Sequence, residues 1–304
     1  LLFTPSTKAV SYGEKVSVEA VRTEYHLSRR KAGPPIRTLN SSGSKIGMED
    51  IRGKGSPAVR VETPAQKVWI SLAEGGQILK VAAGEEGRDI TDMEQLEGRE
   101  YGKYSRTLCM DRFRHWGWGG GQIGPHALVK RQIHKNGDVT VVLRRDFPSD
   151  MVDPVRECSL TKRFTVHADV ARLDVRVGFL NRRKASVDVT YYQPNFVTLA
   201  KRETLARKLG QRQYLIPEIE KTGTHETLRI LSEETREAFA MRVPRSAGPK
   251  WSVSRDVCPV ILELTYPEAT LAPGEAWTLR YSLGYSADTD RETLRERTNA
   301  VFAE

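Results

Sequence analysis

The dominant pattern along the chain is the alternation of apolar and polar residues. Between residues 170 and 179 apolar side chains occupy every second position, and Arg172, Asp174 and Arg176 lie between them. Successive side chains of a β-strand point to opposite faces, so this spacing predicts a strand with one buried face and one solvated face. The same alternation recurs in segments 138–143, 160–166, 186–191, 260–266 and 277–285.

Turn-forming residues separate these predicted strands, and helical spacing is scarce. Asn136-Gly137 lies between two alternating runs, which is typical of a β-hairpin with a type I′ turn. The sequence Ala-Pro-Gly-Glu at 272–275 marks another turn. Many strands with few helices favour an all-β fold built as a large antiparallel sandwich. The best helix candidates are 203–209, 232–240 and a C-terminal helix over 290–302.

Composition divides the chain into three parts. Residues 1–58 combine a strand-like start at 14–21 with a segment at 28–58 that is rich in Ser, Gly, Pro and basic residues, as is typical of a loop or mobile segment. Residues 59–288 carry the period-two pattern and are predicted to form the sandwich domain. Residues 289–304 are predicted to add the C-terminal helix.

Length and cysteine content exclude several classes of protein. A chain of 304 residues with 38% hydrophobic residues can bury a core without crosslinks. No segment reaches 18 consecutive apolar residues, so no membrane span is predicted. Cys109, Cys158 and Cys258 are odd in number and lack metal-ligand spacing, which argues against a disulfide scaffold or a zinc ribbon. No signal peptide is visible, which leaves a cytoplasmic and a periplasmic or secreted bacterial location both open.

The chain is basic, with 48 Lys and Arg against 39 Asp and Glu and a net charge of +9. Such a surface attracts anions, including nucleic acids, acidic glycans and lipid headgroups. The cations are spread along the sequence and mixed with acids, whereas nucleic-acid-binding modules concentrate charge and interleave exposed aromatics. This distribution favours a solvated basic surface over a nucleic-acid interface.

The common motifs of nucleotide binding and hydrolysis do not occur. The glycine-rich run at 117–121 is not followed by the Lys-Ser/Thr of a P-loop, and no helix is predicted there. Neither Gly-x-Ser-x-Gly nor His-Glu-x-x-His is present in the sequence. The best sequence signals of serine hydrolases and zincins are therefore missing.

Four stretches carry a resemblance to a known superfamily. They are 71–79, with Gly-Gly between two strand-like runs; 124–131, Gly-Pro-His-Ala before a hairpin; 173–196, ending in Tyr-Tyr-Gln-Pro-Asn-Phe; and 262–275, a strand followed by Pro-Gly-Glu. Their order and spacing over residues 65–286 resemble the galactose mutarotase-like (aldose 1-epimerase-like) proteins. The resemblance implies an antiparallel β-supersandwich, a carbohydrate ligand and chemistry that requires no metal or organic cofactor.

The resemblance also implies an acid and a base around a sugar. Glu263 stands where the family has its base, but Tyr192 or Gln193 stands where the family has its acid histidine. Mutarotation needs a base at the anomeric hydroxyl and an acid at the ring oxygen. Glutamine cannot donate a proton and be recharged, and a phenol does so reluctantly. Either His115 or His126 supplies the acid, or the chain binds sugar without epimerising it.

Further candidates for sugar binding come from the segment 112–118 and from the strand after residue 186. The segment combines two arginines, a histidine and two tryptophans. Indole rings stack on the C–H faces of sugars, and arginine holds hydroxyls or carboxylates; a core-covering loop is the alternative. Alternation places Tyr191 in the core and Tyr192 at the site, and Pro194 is expected to end the strand. The predicted binding residues are Arg112, Arg114, His115, Trp116, Gln193 and Asn195.

The sequence thus supports one main hypothesis and two alternatives. The main one is a carbohydrate-binding β-sandwich, extending to an aldose 1-epimerase-like enzyme with Glu263, His126 and Tyr192 as catalytic candidates in one pocket on the polar face of the larger sheet. The surplus of arginine favours an acidic or phosphorylated sugar. The first alternative is a non-catalytic sugar-binding or interaction module of a larger protein. The second is a polysaccharide lyase-like enzyme in which Tyr192 removes the proton α to a uronate carboxyl, with Arg or Asn neutralising that carboxyl.

Overall fold

The computed structural model is built from antiparallel β-strands. It describes residues 37–38, 43–50, 57–83, 89–91, 108–109, 111–113, 124–151, 155–197, 199, 215–232, 235–254, 260–287 and 292–302. The strands in these ranges are β1 (Arg37–Thr38), β2 (Lys45–Asp50), β3 (Pro57–Glu62), β4 (Gln66–Ser71), β5 (Ile78–Ala83), β6 (Arg112–Phe113), β7 (Ala127–Ile133), β8 (Val139–Asp146), β9 (Cys158–Val166), β10 (Arg172–Asn181), β11 (Val187–Val189), β12 (Tyr191–Val197), β13 (Leu215–Thr222), β14 (His225–Ser232), β15 (Glu237–Pro244), β16 (Lys250–Ser254), β17 (Val260–Thr265), β18 (Ala269–Leu271) and β19 (Ala276–Ser286). The described residues also include a 3₁₀ turn (Arg245–Ala247) and a helix, α1 (Leu294–Val301).

The described strands form four antiparallel sheets. The largest has eight strands in the order β13-β14-β15-β19-β10-β9-β8-β7. A five-stranded sheet runs from β1 to β5 in chain order, a four-stranded sheet has the order β16-β17-β12-β6, and β11 pairs with β18. One cluster of buried apolar side chains includes residues of all four sheets, so the sheets pack around a shared core.

The eight-stranded sheet has an apolar face toward the core and a polar face away from it. In β10, Leu173, Val175 and Val177 are buried, while Arg172 and Arg176 on the opposite face are partly exposed. The alternation fixes the register, because a slip of one residue would expose every core side chain of the strand. Helix α1 packs on the polar face at β19, where Gly284 leaves space for Phe302; a Cβ at Gly284 would lie 3.0 Å from that ring.

The predicted all-β antiparallel fold and its C-terminal helix are confirmed. Five alternating segments overlap β8, β9, β10, β17 and β19, and the segment at 186–191 is divided between β11 and β12. The predicted C-terminal helix is α1, somewhat shorter than expected. In the part of the chain that the structure describes, no helix has the length and apolar character needed to cross a membrane.

The helix predicted over 232–240 is wrong. Ser232 ends β14, and β15 begins at Glu237 inside the eight-stranded sheet, between β14 and β19. Residues 237–241 are all buried, without alternation. A strand buried on both faces loses its period-two signal, so its sequence resembles that of a short helix. The helix predicted over 203–209 lies outside the described residues.

Part of the segment predicted as a loop over 28–58 is a strand instead. Strand β2 pairs with β3 and buries Ile46 and Met48 in the core. The buried hydroxyl of Ser44 donates a 2.7 Å hydrogen bond to the carbonyl of Gly137. Ser44 therefore links the start of β2 to the turn between β7 and β8, a role that composition alone does not indicate. The strand-like start at 14–21 lies outside the described residues, and a domain boundary at residue 58 remains a prediction.

The hairpin predicted at Asn136-Gly137 is confirmed and joins β7 to β8, but its turn type differs. Gly137 has a φ of +91°, whereas Asn136 has no positive φ. The N–H of His134 donates to the carbonyl of Asp138 at 2.8 Å, which leaves a loop of three residues. A three-residue loop that ends in a left-handed glycine is the bulged hairpin, whereas a type I′ turn requires two positive φ values.

Asn181, at the end of β10, fastens the turn between β18 and β19. Its side-chain N–H groups donate to the carbonyls of Ala185, Leu271 and Ala272 at 2.9, 2.9 and 3.1 Å. Its side-chain oxygen accepts a 2.9 Å bond from the N–H of Arg183. The residue is fully buried, so these bonds are made without competition from water.

Replacing Asn181 with alanine is expected to lower the free energy of unfolding by about 2–3 kcal/mol, because buried carbonyl groups lose their donors. Urea denaturation followed by tryptophan fluorescence measures the change. Asn136→Ala is the matched control, since the Asn136 amide is exposed and bonds Asp138 at 2.9 Å; its expected loss is below about 1 kcal/mol. Equal losses in the two variants would contradict the role of Asn181.

Candidate functional site

The four-stranded sheet brings Arg112, Tyr192 and Glu263 together on one face. Arg112 lies opposite Tyr192 in the β6–β12 ladder, and Glu263 lies opposite Pro194 in the β12–β17 ladder. Residues paired across antiparallel strands share a face, and so do residues two apart on one strand. The three side chains therefore point the same way, and we call this surface the Arg112 face.

Glu263 points away from the core, as its position between two leucines predicts. Leu262 and Leu264 are fully buried, whereas the Glu263 side chain is 20% exposed. Nη1 of Arg112 lies 3.8 Å from Oε2 of Glu263. The centre of the same guanidinium lies 5.9 Å from the centre of the Tyr192 ring, within the range of a cation–π contact. Arg112 thus contacts both the carboxylate and the phenol.

The environment of Glu263 makes it a better proton acceptor than an exposed glutamate. Burial raises the pKa of the Glu263 carboxyl, and the positive charge of Arg112 opposes the rise. A carboxylate with a raised pKa takes a proton more readily, which suits a general base. The Arg112 face can therefore accept hydrogen bonds from hydroxyls and supply a base to one of them.

Packing holds Arg112 in place although β6 has only two residues. Phe113, the next residue, is 1% exposed and lies on the core side of the sheet. Its ring centre lies 5.3 Å from that of Phe179 and 5.5 Å from that of Tyr191. These aromatic contacts anchor β6, and the alternation along the strand turns Arg112 outward.

Gln193 and Asn195 lie on the opposite side of the sheet, inside the core. Both are fully buried, because they alternate with Tyr192 along β12. Oδ1 of Asn195 accepts a 2.9 Å hydrogen bond from the N–H of Cys109. The side-chain amide of Gln193 has no hydrogen-bond partner among the described residues. The structure therefore does not support one pocket that joins these two residues to Glu263. Glu263 also lies on the four-stranded sheet and not on the larger, eight-stranded sheet where that pocket was expected.

The expectation that Pro194 ends its strand is wrong, and this explains the placement of Gln193. β12 continues to Val197, with Pro194 inside it. Among the described residues β12 pairs with β6 only at 191 and 192, so on that side the missing N–H of Pro194 interrupts no ladder. The strand therefore keeps its alternation past the proline and turns Gln193 into the core.

His126 is also buried in the interior and does not lie on the Arg112 face. Its Nδ1–H donates to the carbonyl of Gly124 at 3.1 Å, since a carbonyl can only accept. Burial, together with the positive charges of Lys162 and Arg145, lowers the pKa of His126 to about 3. A buried, neutral imidazole is not a proton donor at neutral pH, so we do not assign His126 the role of the acid.

The interior contains a buried ion pair that the sequence analysis missed. Lys162 Nζ lies 3.1 Å from Oδ2 of Asp111, and it also donates to the carbonyls of Cys109 at 2.6 Å and Gly75 at 3.3 Å. The hydroxyl of Tyr191 donates to Oδ1 of Asp111 at 2.5 Å. All three N–H donors of the ammonium group are therefore used, as a buried lysine requires.

A sequence signal for this pair does exist. Residues 160, 162, 164 and 166 share one face of β9, and three of them are apolar. A lysine in an apolar register predicts either a buried cation or a long side chain that reaches the surface. The structure shows the buried cation. Its carboxylate partner is Asp111, which directly precedes β6 of the four-stranded sheet.

Arg114, His115 and Trp116 lie outside the described residues, so their predicted roles in sugar binding stay predictions. They directly follow β6, which begins at Arg112 on the described face.

One group of described residues has the composition of a metal site. Side-chain atoms of Asp138, His167 and Asp169 lie within 4.8 Å of one another. Both ring nitrogens of His167 already face carboxylates, with Nδ1 3.4 Å from Asp138 and Nε2 2.7 Å from Asp174. These side chains form a cluster of charges at the surface, and we assign no metal to it.

Comparison with solved structures identifies the fold. A proposed aldose 1-epimerase from Klebsiella pneumoniae superposes with a TM-score of 0.61 at 10% identity, over 87% of this chain and 88% of the other. A TPR-domain containing protein from Parabacteroides distasonis gives 0.51 at 10% identity, over 77% and 48%. A galactose mutarotase-like protein from Clostridium acetobutylicum gives 0.48 at 9% identity, over 80% and 98%.

No family model and no curated protein matches the sequence. Similarity to the Klebsiella protein extends over most of both chains, and the described sheets are antiparallel throughout. The chain therefore has the galactose mutarotase-like fold, an antiparallel β-supersandwich.

Proposed function

We propose that this protein binds carbohydrate on the Arg112 face. The observation that carries the proposal is the juxtaposition of a guanidinium, a phenol ring and a half-buried carboxylate at Arg112, Tyr192 and Glu263. These groups match the three surfaces of a sugar, which are hydroxyl donors, hydroxyl acceptors and apolar C–H faces. The fold shared with the Klebsiella protein supports the assignment.

Each residue of the Arg112 face has a distinct role in the proposal. Glu263 accepts hydrogen bonds from sugar hydroxyls, and Arg112 donates to a hydroxyl or, in an acidic or phosphorylated sugar, to the anion. The ring of Tyr192 packs against the C–H face of the sugar. Thr265 and Ser252 lie opposite Tyr192 and Glu263 on neighbouring strands and extend the polar surface.

The reaction that this arrangement would support is the interconversion of anomers. Glu263 would remove the proton of the anomeric hydroxyl, and Tyr192 would donate to the ring oxygen as the ring opens. The sugar then closes with the opposite configuration at the anomeric carbon, and the two protons return. Tyr192 replaces the imidazole that the resemblance implies, so we expect slow exchange even when binding is intact.

A second candidate reaction rests on the contact between Arg112 and Tyr192. With a uronate bound, Arg112 would neutralise the carboxylate while Tyr192 removed the proton on the adjacent carbon. The glycosidic bond at the next carbon would then break, Tyr192 would pass the proton to the departing glycosidic oxygen, and a double bond would remain in the new non-reducing sugar. An increase in ultraviolet absorbance on incubation with polyuronate would reveal this elimination.

Nuclear magnetic resonance titration with a panel of aldoses and uronic acids tests the binding proposal. We expect Arg112→Ala and Glu263→Gln each to weaken binding of the preferred sugar at least ten-fold, because each removes a charged hydrogen-bonding partner. Exchange spectroscopy on the same samples reports the rate of anomer interconversion. Binding without exchange would identify a sugar-binding module rather than an epimerase.

Arg60→Ala is the matched control. Arg60 also combines an ion pair, 3.3 Å to Glu49, with a cation–π contact, 5.2 Å to the Trp69 ring. Its side chain is 29% exposed, against 28% for Arg112. Equal effects of Arg60→Ala and Arg112→Ala, or no binding of any sugar in the panel, would refute the proposal.

A further inference from the structure

A row of three arginines crosses the polar face of the eight-stranded sheet. Arg176 on β10 lies opposite Arg163 on β9 and opposite Arg280 on β19. Neighbouring strands lie about 4.8 Å apart, so the three side chains emerge at regular, short intervals. We call this set the arginine row.

The arginine row lies in a groove of about 410 Å³. Two more arginines, Arg172 and Arg242, line the same groove. Phe302, which follows α1, also lines it, and Nη1 of Arg242 donates a 3.0 Å hydrogen bond to the Phe302 carbonyl. Five guanidinium groups therefore surround one depression in the surface.

The described lining residues of this groove carry more positive than negative charge. Asp174 is the one carboxylate among the lining residues that the structure describes, and it is already engaged by His167 at 2.7 Å and by Arg172 at 3.3 Å. Neither Arg176 nor Arg280 forms an ion pair with any residue that the structure describes. Like charges directly opposite each other destabilise a sheet, so the row carries an energetic cost within the free protein.

We propose that the groove binds an acidic oligosaccharide, with carboxylates on successive sugar rings seated on the arginine row. A guanidinium binds a carboxylate through two parallel N–H donors, and a row of such forks suits a chain of regularly repeated carboxylates. Thr165 and Ser282 line the same groove and supply hydroxyls for the sugar hydroxyls between the charges. Bound carboxylates would also remove the repulsion between the arginines.

The lining residues favour this ligand over a nucleic acid. Proteins that bind single strands present a series of exposed aromatic rings for the bases. Among the described residues, the aromatic ones that line this groove are Tyr281, which is 2% exposed, and Phe302, which is 5% exposed.

The groove is distinct from the Arg112 face, so the two proposals can fail separately. The arginine row and Glu263 both lie on faces that point away from the shared core, on different sheets. We expect Glu263→Gln to leave oligosaccharide binding at the groove unchanged. We expect variants of the arginine row to leave binding at the Arg112 face unchanged.

Calorimetric titration with oligogalacturonates of three to six residues tests the proposal. The double variant Arg176→Ser/Arg280→Ser is expected to bind at least ten-fold more weakly, and Arg176→Lys more weakly than the natural protein despite its conserved charge. Affinity should fall steeply with added salt. Arg295→Ala, at an exposed arginine of α1, is the control for loss of charge and should bind normally.

Several outcomes would overturn the proposal. Equal loss of affinity in Arg295→Ala and in the double variant would show that only net charge matters. If citrate or phosphate bound as tightly as the oligogalacturonates, the groove would be a site for small anions only. If a single-stranded oligonucleotide bound more tightly, the ligand would be a nucleic acid. The double variant is expected to fold and to be at least as stable as the natural protein, because it relieves repulsion between like charges.

Discussion

Replacing Lys162 with methionine is expected to lower the free energy of unfolding by about 3–5 kcal/mol. The substitution leaves the carboxylate of Asp111 buried without its cation, and removing one partner of a buried ion pair has a cost of this size. The carbonyls of Cys109 and Gly75 lose their donor as well. Urea denaturation at neutral pH, followed by tryptophan fluorescence, measures the change.

A second substitution separates the loss of the cation from the loss of packing. Asp111→Asn in the Lys162→Met background removes the unpaired charge and keeps an acceptor for Tyr191, so the double variant should be more stable than Lys162→Met alone. Lys45→Met is the surface control, since Lys45 is 44% exposed and lies 4.0 Å from Glu62; its expected loss is below about 1 kcal/mol. If the double variant were the least stable of the three, charge burial would not be the cause.

Acid is expected to destabilise the protein through His126. Burial lowers the pKa of His126 from 6.5 to about 3, so below pH 6.5 the unfolded chain binds a proton that the folded protein does not bind. The stability contributed by the neutral imidazole is therefore fully present above pH 6.5 and is lost as the pH falls toward 3. The loss is about 1.4 kcal/mol for each pH unit in this window, or about 2–3 kcal/mol at pH 4.5.

His126→Gln tests this pH dependence, because glutamine can still donate to the Gly124 carbonyl but does not titrate. Unfolding free energies of the natural protein and the variant should converge as the pH falls from 7 to 4.5. Asp111 opposes the effect, since burial raises its pKa and the folded protein takes up that proton first. The comparison between the two proteins removes this contribution.

His134→Gln, at a half-buried histidine bonded to Thr140, is the control. An identical pH dependence in all three proteins would refute the role of His126.

The period-two pattern was sufficient to predict the fold class and one part of the candidate site. Alternation placed Tyr191 in the core and Tyr192 and Glu263 outside it, and the structure agrees. A local pattern determines which face of a strand a residue occupies, because the geometry of the strand alone decides it. The signal failed at β15, where both faces are covered by other elements.

The partners across sheets could not be predicted from the sequence. Asp111 and Lys162 are 51 residues apart, and the arginine row joins residues from three strands that meet only through the order of the sheet. A proline is expected to end a strand, but among the described residues no strand pairs with β12 at Pro194 on the β6 side, and this property of the topology cannot be read from the sequence. Both features depend on non-local pairing, which no window of residues contains.

The aromatic anchor of β6 has a consequence for the carbohydrate binding that we propose at the Arg112 face. Phe113 is fixed between Phe179 and Tyr191, so the backbone beneath the guanidinium is immobilised when the chain folds and not when a ligand arrives. An arginine that is preorganised in this way loses little conformational entropy on binding. Enlarging the space around Phe113 would therefore weaken ligand binding through added freedom of motion, without removing any group that contacts the ligand.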